Sequence, residues 1–426
     1  MSDAREIALD CLAAILRRGR RLEDALDDHP GYGRLEARDR AFARLLVATT
    51  LRRLGQIDRL IGHCLERPLP AKAGGVTDIL RLGLAQLLFI GTPAHAAVDT
   101  TVTLAAKHEP AKFKPLVNAV MRRLAREGAG LLATQDAARL NTPDWLWRSW
   151  SKAYGEEKCH AIAEAHLIEP PLDITVKDEG GDWAARLDAR RLPTSTLRRA
   201  SARPGELPGF ADGAWWVQDA AASLPVRLLG DVGGKTVIEL CAAPGGKTAQ
   251  LAAMGAEVIA LDRSEARLER LKGNLARLDL EARLVLGDAL SWRPDAPAEA
   301  ILLDAPCTGT GTLRRHPDIA RTKERGDVRR LAARQDELLA AAVAMLAPGG
   351  VLVYAVCSLE PEEAEMRVAA LLEGGAPVRR EGVESSEIGG LSQAVTEAGD
   401  LRTLPCHLAD LGGMDGFYAA RLRRSG

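Results

Sequence analysis

Apolar residues in the first part of the chain recur at three- and four-residue intervals. Ile7, Cys11, Leu12, Ile15 and Leu16 form one stripe, Phe42, Leu45, Leu46 and Thr49 a second, and Ile57, Leu60, Ile61 and Cys64 a third. The same spacing continues from Ile79 to Leu88 and through Leu116, Val117, Val120, Met121 and Leu124. A period near 3.6 places each set on one face of a helix. His29-Pro30-Gly31, Pro68-Leu69-Pro70, Gly74-Gly75 and Gly91-Thr92-Pro93 punctuate the repeats with turn-forming residues. Residues 1–135 are therefore expected to form an all-α bundle, and nothing in them has catalytic spacing.

The pattern changes after Asn141-Thr142-Pro143. Trp145, Trp147 and Trp150 stand close together and read as packing residues at a domain junction rather than as base-stacking platforms. Pro170-Pro171 ends a helical stretch, and Leu172 to Val176 alternates as a strand does. A small α+β module is expected over 136–230.

From 231 to 426 short apolar runs alternate with helical patterns. Val237–Leu240, Val258–Asp262, Arg283–Asp288, Ala300–Asp304 and Val351–Val356 read as buried strands. The helix 264–278 has Ser264 as N-cap and Leu268, Leu271, Leu275 and Leu278 on one face, and a second helix covers 328–346. Residues 416–422 look like an edge strand, and 374–400 carries no pattern assigned to an element. Such alternation predicts a doubly wound, Rossmann-like α/β domain.

Composition narrows the class. With 426 residues, 46% hydrophobic and 27% charged, the chain has the make-up of a multi-domain globular protein. No apolar run approaches the roughly 18 residues of a membrane span, and Met1 to Glu6 lacks a leader pattern, so a cytoplasmic location without membrane association is expected. Seven cysteines without a C-x-x-C pair indicate neither a disulfide framework nor a zinc site, and no metal is expected. The net charge is −1, but residues 1–130 hold 21 Lys+Arg against 15 Asp+Glu and the remainder 36 against 43. Two local basic clusters, Arg186, Arg190, Arg191, Arg198, Arg199 and Arg203, then Arg314, Arg315, Arg321, Lys323 and Arg325, read either as solvated faces or as phosphate contacts.

The candidate chemistry starts at Cys241-Ala242-Ala243-Pro244-Gly245-Gly246-Lys247-Thr248, a tight turn between a strand and a helix. In a parallel sheet such a turn lies at the carboxyl end of the strand, where backbone N–H groups face a ligand and small residues let it approach. It is neither G-x-G-x-x-G nor G-x-x-x-x-G-K-[ST], so phosphate binding is not specifically indicated. Asp262 follows the turn by about 20 residues, the spacing of a ribose-binding acid, and Asp288 and Asp304 end or follow further strands. A ribose-bearing cofactor without phosphates fits, and S-adenosylmethionine is the common one.

Cys307 and Cys357 lie just beyond two strands that are expected to be adjacent, which would place both thiols beside the cofactor cleft. Carbon 5 of a pyrimidine is a poor nucleophile toward a sulfonium methyl until a thiolate adds at C6 and makes C5 enamine-like. One cysteine must add, and another group must take a proton. Asp304 is placed to hydrogen-bond the N3/N4 edge of a cytosine. The base must leave any helix to be reached, so a single-stranded or flipped RNA target is expected.

C-A-A-P-G-G-K-T at 241–248, D-A-P-C-T-G-T-G at 304–311 with R-R-H-P-D-I at 314–319, and Y-A-V-C-S-L at 354–359 resemble the RNA (cytosine-5) methyltransferases of the Nol1/Nop2/Sun family. D-R-A-F-A-R-L-L-V at 39–47, L-R-L-G-L-A-Q-L-L-F at 80–89 and V-N-A-V-M-R-R-L at 117–124 resemble the NusB-type domain that precedes the enzyme in the bacterial Sun/RsmB branch. The resemblance implies a NusB-like RNA-binding domain over 1–135, an RNA-binding linker module over 136–230 and a class I methyltransferase domain over 231–426. It implies Cys357 as nucleophile, Cys307 in product release, and Cys241, Ala242, Ala243, Pro244, Gly245, Gly246, Lys247, Asp262, Asp288 and Asp304 around S-adenosylmethionine. The implied substrate is a cytosine in small-subunit ribosomal RNA, and no obligate protein partner is expected, so a monomer. Val356 and Thr308 depart from the usual threonine and serine. Methylation of another RNA such as tRNA, a small-molecule methyltransferase and a non-catalytic RNA-binding assembly factor remain the alternatives.

Overall fold

In the computed structural model, residues 3–70, 73–178, 180–200 and 202–426 are described. Contacts divide the chain into one unit of 1–168 with 313–324, and another of 169–312 with 325–426. These boundaries differ from the 135 and 230 read from the sequence. Among the described residues no helix is long and apolar enough to cross a membrane.

The first unit is helical. Helices Ala4–Arg18, Ala37–Arg52, Leu54–Cys64, Gly74–Ala85, Ala94–His108 and Lys114–Ala133 turn their apolar stripes inward. Ile7, Leu12, Ile15, Leu46, Ile57 and Met121 are buried in one core, as the periodicity predicts. The helices Asp144–Tyr154 and Glu156–His166 belong to this unit, with Trp150 fully buried against His166. Asn141 fastens the connection, accepting from Gln56 N (3.1 Å) and donating to its side chain (3.0 Å).

The segment 313–324 packs here too, through Asp318, which accepts from Leu22 N (3.2 Å), and through Arg52, which donates to the Arg314 carbonyl (2.9 Å). Arg314 is buried, and burial pushes the Arg321 guanidinium down to about 10 while it donates to Asn141 O (2.9 Å). Neither is a surface phosphate contact. Arg198, in the second unit, is likewise buried in a two-pronged pair with Asp173 (2.6 and 2.7 Å). Arg190 and Arg191 are exposed, while Arg186 lies over the Trp183 ring.

The second unit opens with a small antiparallel sheet. Its strands β1 (Leu172–Val176), β2 (Arg190–Arg191), β3 (Leu197–Arg199) and β4 (Trp215–Val217) lie in the order β2-β3-β1-β4. The larger sheet contains β5 (Thr236–Leu240), β6 (Glu257–Asp262), β7 (Arg283–Leu286), β8 (Ala298–Asp304), β9 (Leu346–Val356), β10 (Val378–Arg380), β11 (Leu401–Thr403) and β12 (Phe417–Arg424). The order is β10-β12-β9-β8-β5-β6-β7, with β11 on β12. Strands β5 to β9 are mutually parallel, whereas β12 runs antiparallel to β9. The chain order reverses between β5 and β8, the switch point at which such sheets bind ligands.

Two expectations change. The last strand is interior rather than an edge, because β10 and β11 both pair with it. The β7 run is not buried but lies at the sheet edge, where Leu286 is exposed. The long helix Arg325–Met345 and the helix Glu365–Glu373 help enclose a core with Leu303, Leu339, Tyr354 and Tyr418.

Candidate active site

Strand β5 ends at Leu240, and Cys241 turns the chain with a positive φ of 65°. Gly245 then adopts φ +100°, and a Cβ there would lie 2.7 Å from the Leu271 side chain, so the position requires glycine twice over. The helix Gly246–Ala253 starts at once. At the end of β6 the buried Asp262 accepts from Ala243 N (3.2 Å) and Ser264 N (3.0 Å), which joins the turn to the next helix. Ser264 caps that helix through Arg267 N, as its sequence position predicts.

Cys241, Asp262, Asp288, Pro306, Arg334 and Leu338 line a narrow cleft. Asp262, Arg263, Arg267, Asp288 and Arg334 set charged groups among its apolar lining. Asp288 accepts from Leu290 N (3.0 Å) and from Arg334 (2.8 Å), and that backbone bond, with the guanidinium, holds its carboxyl below the usual range. Burial pushes the Cys241 thiol up to about 12, so this cysteine is a wall and not a nucleophile.

Lys247 and Asp304, both read as cofactor residues, pair with each other at 2.8 Å, and the Lys247 ammonium lies 4.9 Å from the centre of the Phe417 ring. Burial alone would lower the Lys247 ammonium, but the Asp304 charge and hydrogen bond raise it above its ordinary value. Beneath them Glu239 is buried on β5 and accepts from the Thr248 hydroxyl (2.5 Å).

Strands β8 and β9 are neighbours in register, Asp304 opposite Ala355. Their continuations bring Cys307 Sγ and Cys357 Sγ to 3.5 Å. The hydrogen bond to Cys357, burial, and the nearby charges of Cys357, Glu363 and Asp304 push the Cys307 thiol well above its ordinary value. Gly311 closes the loop by donating to the Cys357 carbonyl (3.0 Å) and accepting from Gly416 N (2.8 Å). A Cβ on Gly311 would stand 2.0 Å from the Gly416 carbonyl oxygen, so no side chain fits.

Sequence reasoning missed Glu239, Arg334, Glu363 and Phe417. Arg334 and Glu363 sit in a charged helix and an acidic run that carry no motif, and Phe417 lay in a strand assigned to the sheet edge.

Residues 226–423 match the family model described as 16S rRNA methyltransferase RsmB/F, and residues 2–126 match the NusB family. The chain is 34% identical to a ribosomal RNA small subunit methyltransferase B of Cronobacter sakazakii, over 91% of this chain and 94% of that one. It is 34% identical to the protein of the same name from Vibrio cholerae, over 99% and 98%. Among solved structures, one named PH0851 shares the fold with a TM-score of 0.73 at 20% identity, covering 100% of this chain and 99% of its own.

Proposed function

The chain belongs to the RsmB/F family of 16S rRNA methyltransferases, and from that premise we propose that it methylates C5 of a cytosine in small-subunit ribosomal RNA through a covalent cysteine adduct. The observation that carries this reading is the pair of thiols, 3.5 Å apart, on loops that extend adjacent parallel strands. Methylation of an exocyclic amine or a ribose hydroxyl has no use for two such thiols.

Bound S-adenosylmethionine supplies an electrophilic methyl group. The residues that would hold it are the Cys241–Lys247 turn, Asp262 and Asp288. In the reaction the Cys357 thiolate would add to C6 and make C5 nucleophilic enough to take up the methyl group, with S-adenosylhomocysteine as the leaving group. Loss of the C5 proton then re-forms the double bond and expels the Cys357 sulfur. Asp304, held by Lys247, is assigned to the N3/N4 edge of the base, and Cys307 to proton transfer during release. We assign RNA recognition to residues 1–135 and 136–230, and chemistry to 231–426.

Incubation of the protein with small-subunit ribosomal RNA and methyl-labelled S-adenosylmethionine, followed by nucleoside analysis, tests the proposal. Label in 5-methylcytidine supports it. Label in another nucleoside defeats the C5 assignment, and label only in tRNA supplied in a parallel incubation redirects the substrate.

A further inference from the structure

A buried carboxylate that takes no part in the steps above ties the two cysteine loops together. Glu363 is 0% exposed and lies six residues after Cys357. On the Cys307 side it accepts from Thr308 N (2.9 Å) through Oε1 and from the Thr308 hydroxyl through Oε2. On the Cys357 side Oε2 accepts from the Ser358 hydroxyl (2.6 Å). Gln335 also reaches Oε1 (3.4 Å) and donates to the carbonyl of Pro306 (2.9 Å), the residue before Cys307. Each thiol is thus one residue away from an anchor on the same carboxylate.

The backbone ladder cannot supply this register by itself. Ala305 N donates to Ala355 O, and Gly311 N to Cys357 O, both within hydrogen-bond range (2.9 and 3.0 Å). Between Ala305 and Gly311 the chain leaves the ladder, and Cys307 lies on that excursion. Burial raises the Glu363 carboxyl above its ordinary value, against the opposing pull of the bonds from Ser358 and Thr308. A carboxylate offers about four acceptor sites, and three of the donors that reach them come from the two loops, the fourth from Gln335 on the helix Arg325–Met345.

We infer that Glu363 is a positioning residue, whose carboxylate sets the Cys307 and Cys357 loops in register and so fixes the separation of the two thiols. The inference rests on the proposed reaction, in which these thiols share the chemistry. It predicts sensitivity well beyond local stability, because a misplacement of about 1 Å costs on the order of a hundredfold in rate.

The test uses Glu363→Gln, which keeps the shape but turns one acceptor into a donor, and Thr308→Val, which removes one anchor without changing the size. Thr308→Ser restores the hydroxyl. In a glutathione redox buffer the Cys307 and Cys357 thiols close to one disulfide as one oxidised glutathione is reduced to two thiols, so the equilibrium reads how well the sulfurs are juxtaposed. The expected result is an effective molarity lowered about tenfold or more by Glu363→Gln and Thr308→Val and recovered by Thr308→Ser, with kcat falling in parallel and KM for RNA within about twofold. Thermal midpoint and S-adenosylmethionine affinity stay near those of the unaltered protein. An unchanged effective molarity in folded Thr308→Val or Glu363→Gln overturns the positioning role, whatever the protein methylates. A lowered effective molarity in a protein that labels no cytosine supports the positioning role and defeats the functional proposal instead.

Discussion

The Cys307 and Cys357 sulfurs lie 3.5 Å apart, and the contact with Cys357, burial and the neighbouring charges raise the Cys307 thiol well above its ordinary value. In the proposed reaction Cys357 is the sulfur that adds to the ring carbon. Cys357→Ala is therefore expected to lower methyl transfer at least about a thousandfold. Its affinity for S-adenosylmethionine should stay within about twofold, since Cys357 is not among the residues lining the cofactor cleft. Transfer assays on ribosomal RNA and calorimetric titration of the cofactor check both halves, and activity within tenfold of the unaltered enzyme would remove Cys357 from the mechanism.

Cys307→Ala separates attack from release. With the proton-transferring thiol gone, Cys357 can still add to C6, but the adduct should persist. A protein–RNA species that survives denaturing electrophoresis, and is absent from Cys357→Ala, is the expected outcome. Turnover at the normal rate with no retained species would mean that another group resolves the adduct.

Much of this site was legible in the sequence because its carriers obey local rules. The β5 turn shows itself through Gly245 and Pro244, and the helix after β6 through Ser264 and the leucines behind it. The two thiols could be placed together because strands β8 and β9 are long enough to show as apolar runs. Strands β10 and β11 have three residues each, too short for alternation to register, and they are what convert β12 from an edge into an interior strand. Charged residues misled for a related reason. Arg198, Arg314 and Glu363 are buried by partners distant in sequence, and nothing in their neighbours distinguishes them from a solvated face.

The Lys247–Asp304 pair makes a prediction about stability as well as chemistry. Lys247 is 9% exposed in its side chain and Asp304 30%. Asp304→Ala strands the ammonium in the interior and is expected to cost about 2–3 kcal/mol, at or below the usual range for breaking a buried pair because water reaches the carboxylate. Lys247→Met added to Asp304→Ala should recover most of that loss while leaving the protein inactive. Urea denaturation of the two single variants and the double variant measures the coupling, and simple additivity of the two losses would show that the pair is not coupled.

Glu239 predicts a pH dependence whose sign is opposite to that of an ordinary salt-bridged acid. Its burial on β5 pushes the carboxyl from 4.5 up to about 8, against the opposing pull of the Thr248 hydroxyl and the Lys247 charge. Between those values the unfolded chain has released a proton that the folded protein retains. The folded state therefore binds more protons, and its stability falls as pH rises. The contribution is fully present below pH 4.5 and is lost progressively up to about pH 8. Glu239→Gln keeps an acceptor for Thr248 and has no proton to lose, so its advantage over the unaltered protein should grow with pH, by at most about 1.4 kcal/mol per unit. Denaturation curves for both proteins at intervals from pH 5 to 8 make the comparison. Parallel pH profiles would show that Glu239 ionises in the folded protein at its ordinary value, and that water or a cation reaches the floor of the site.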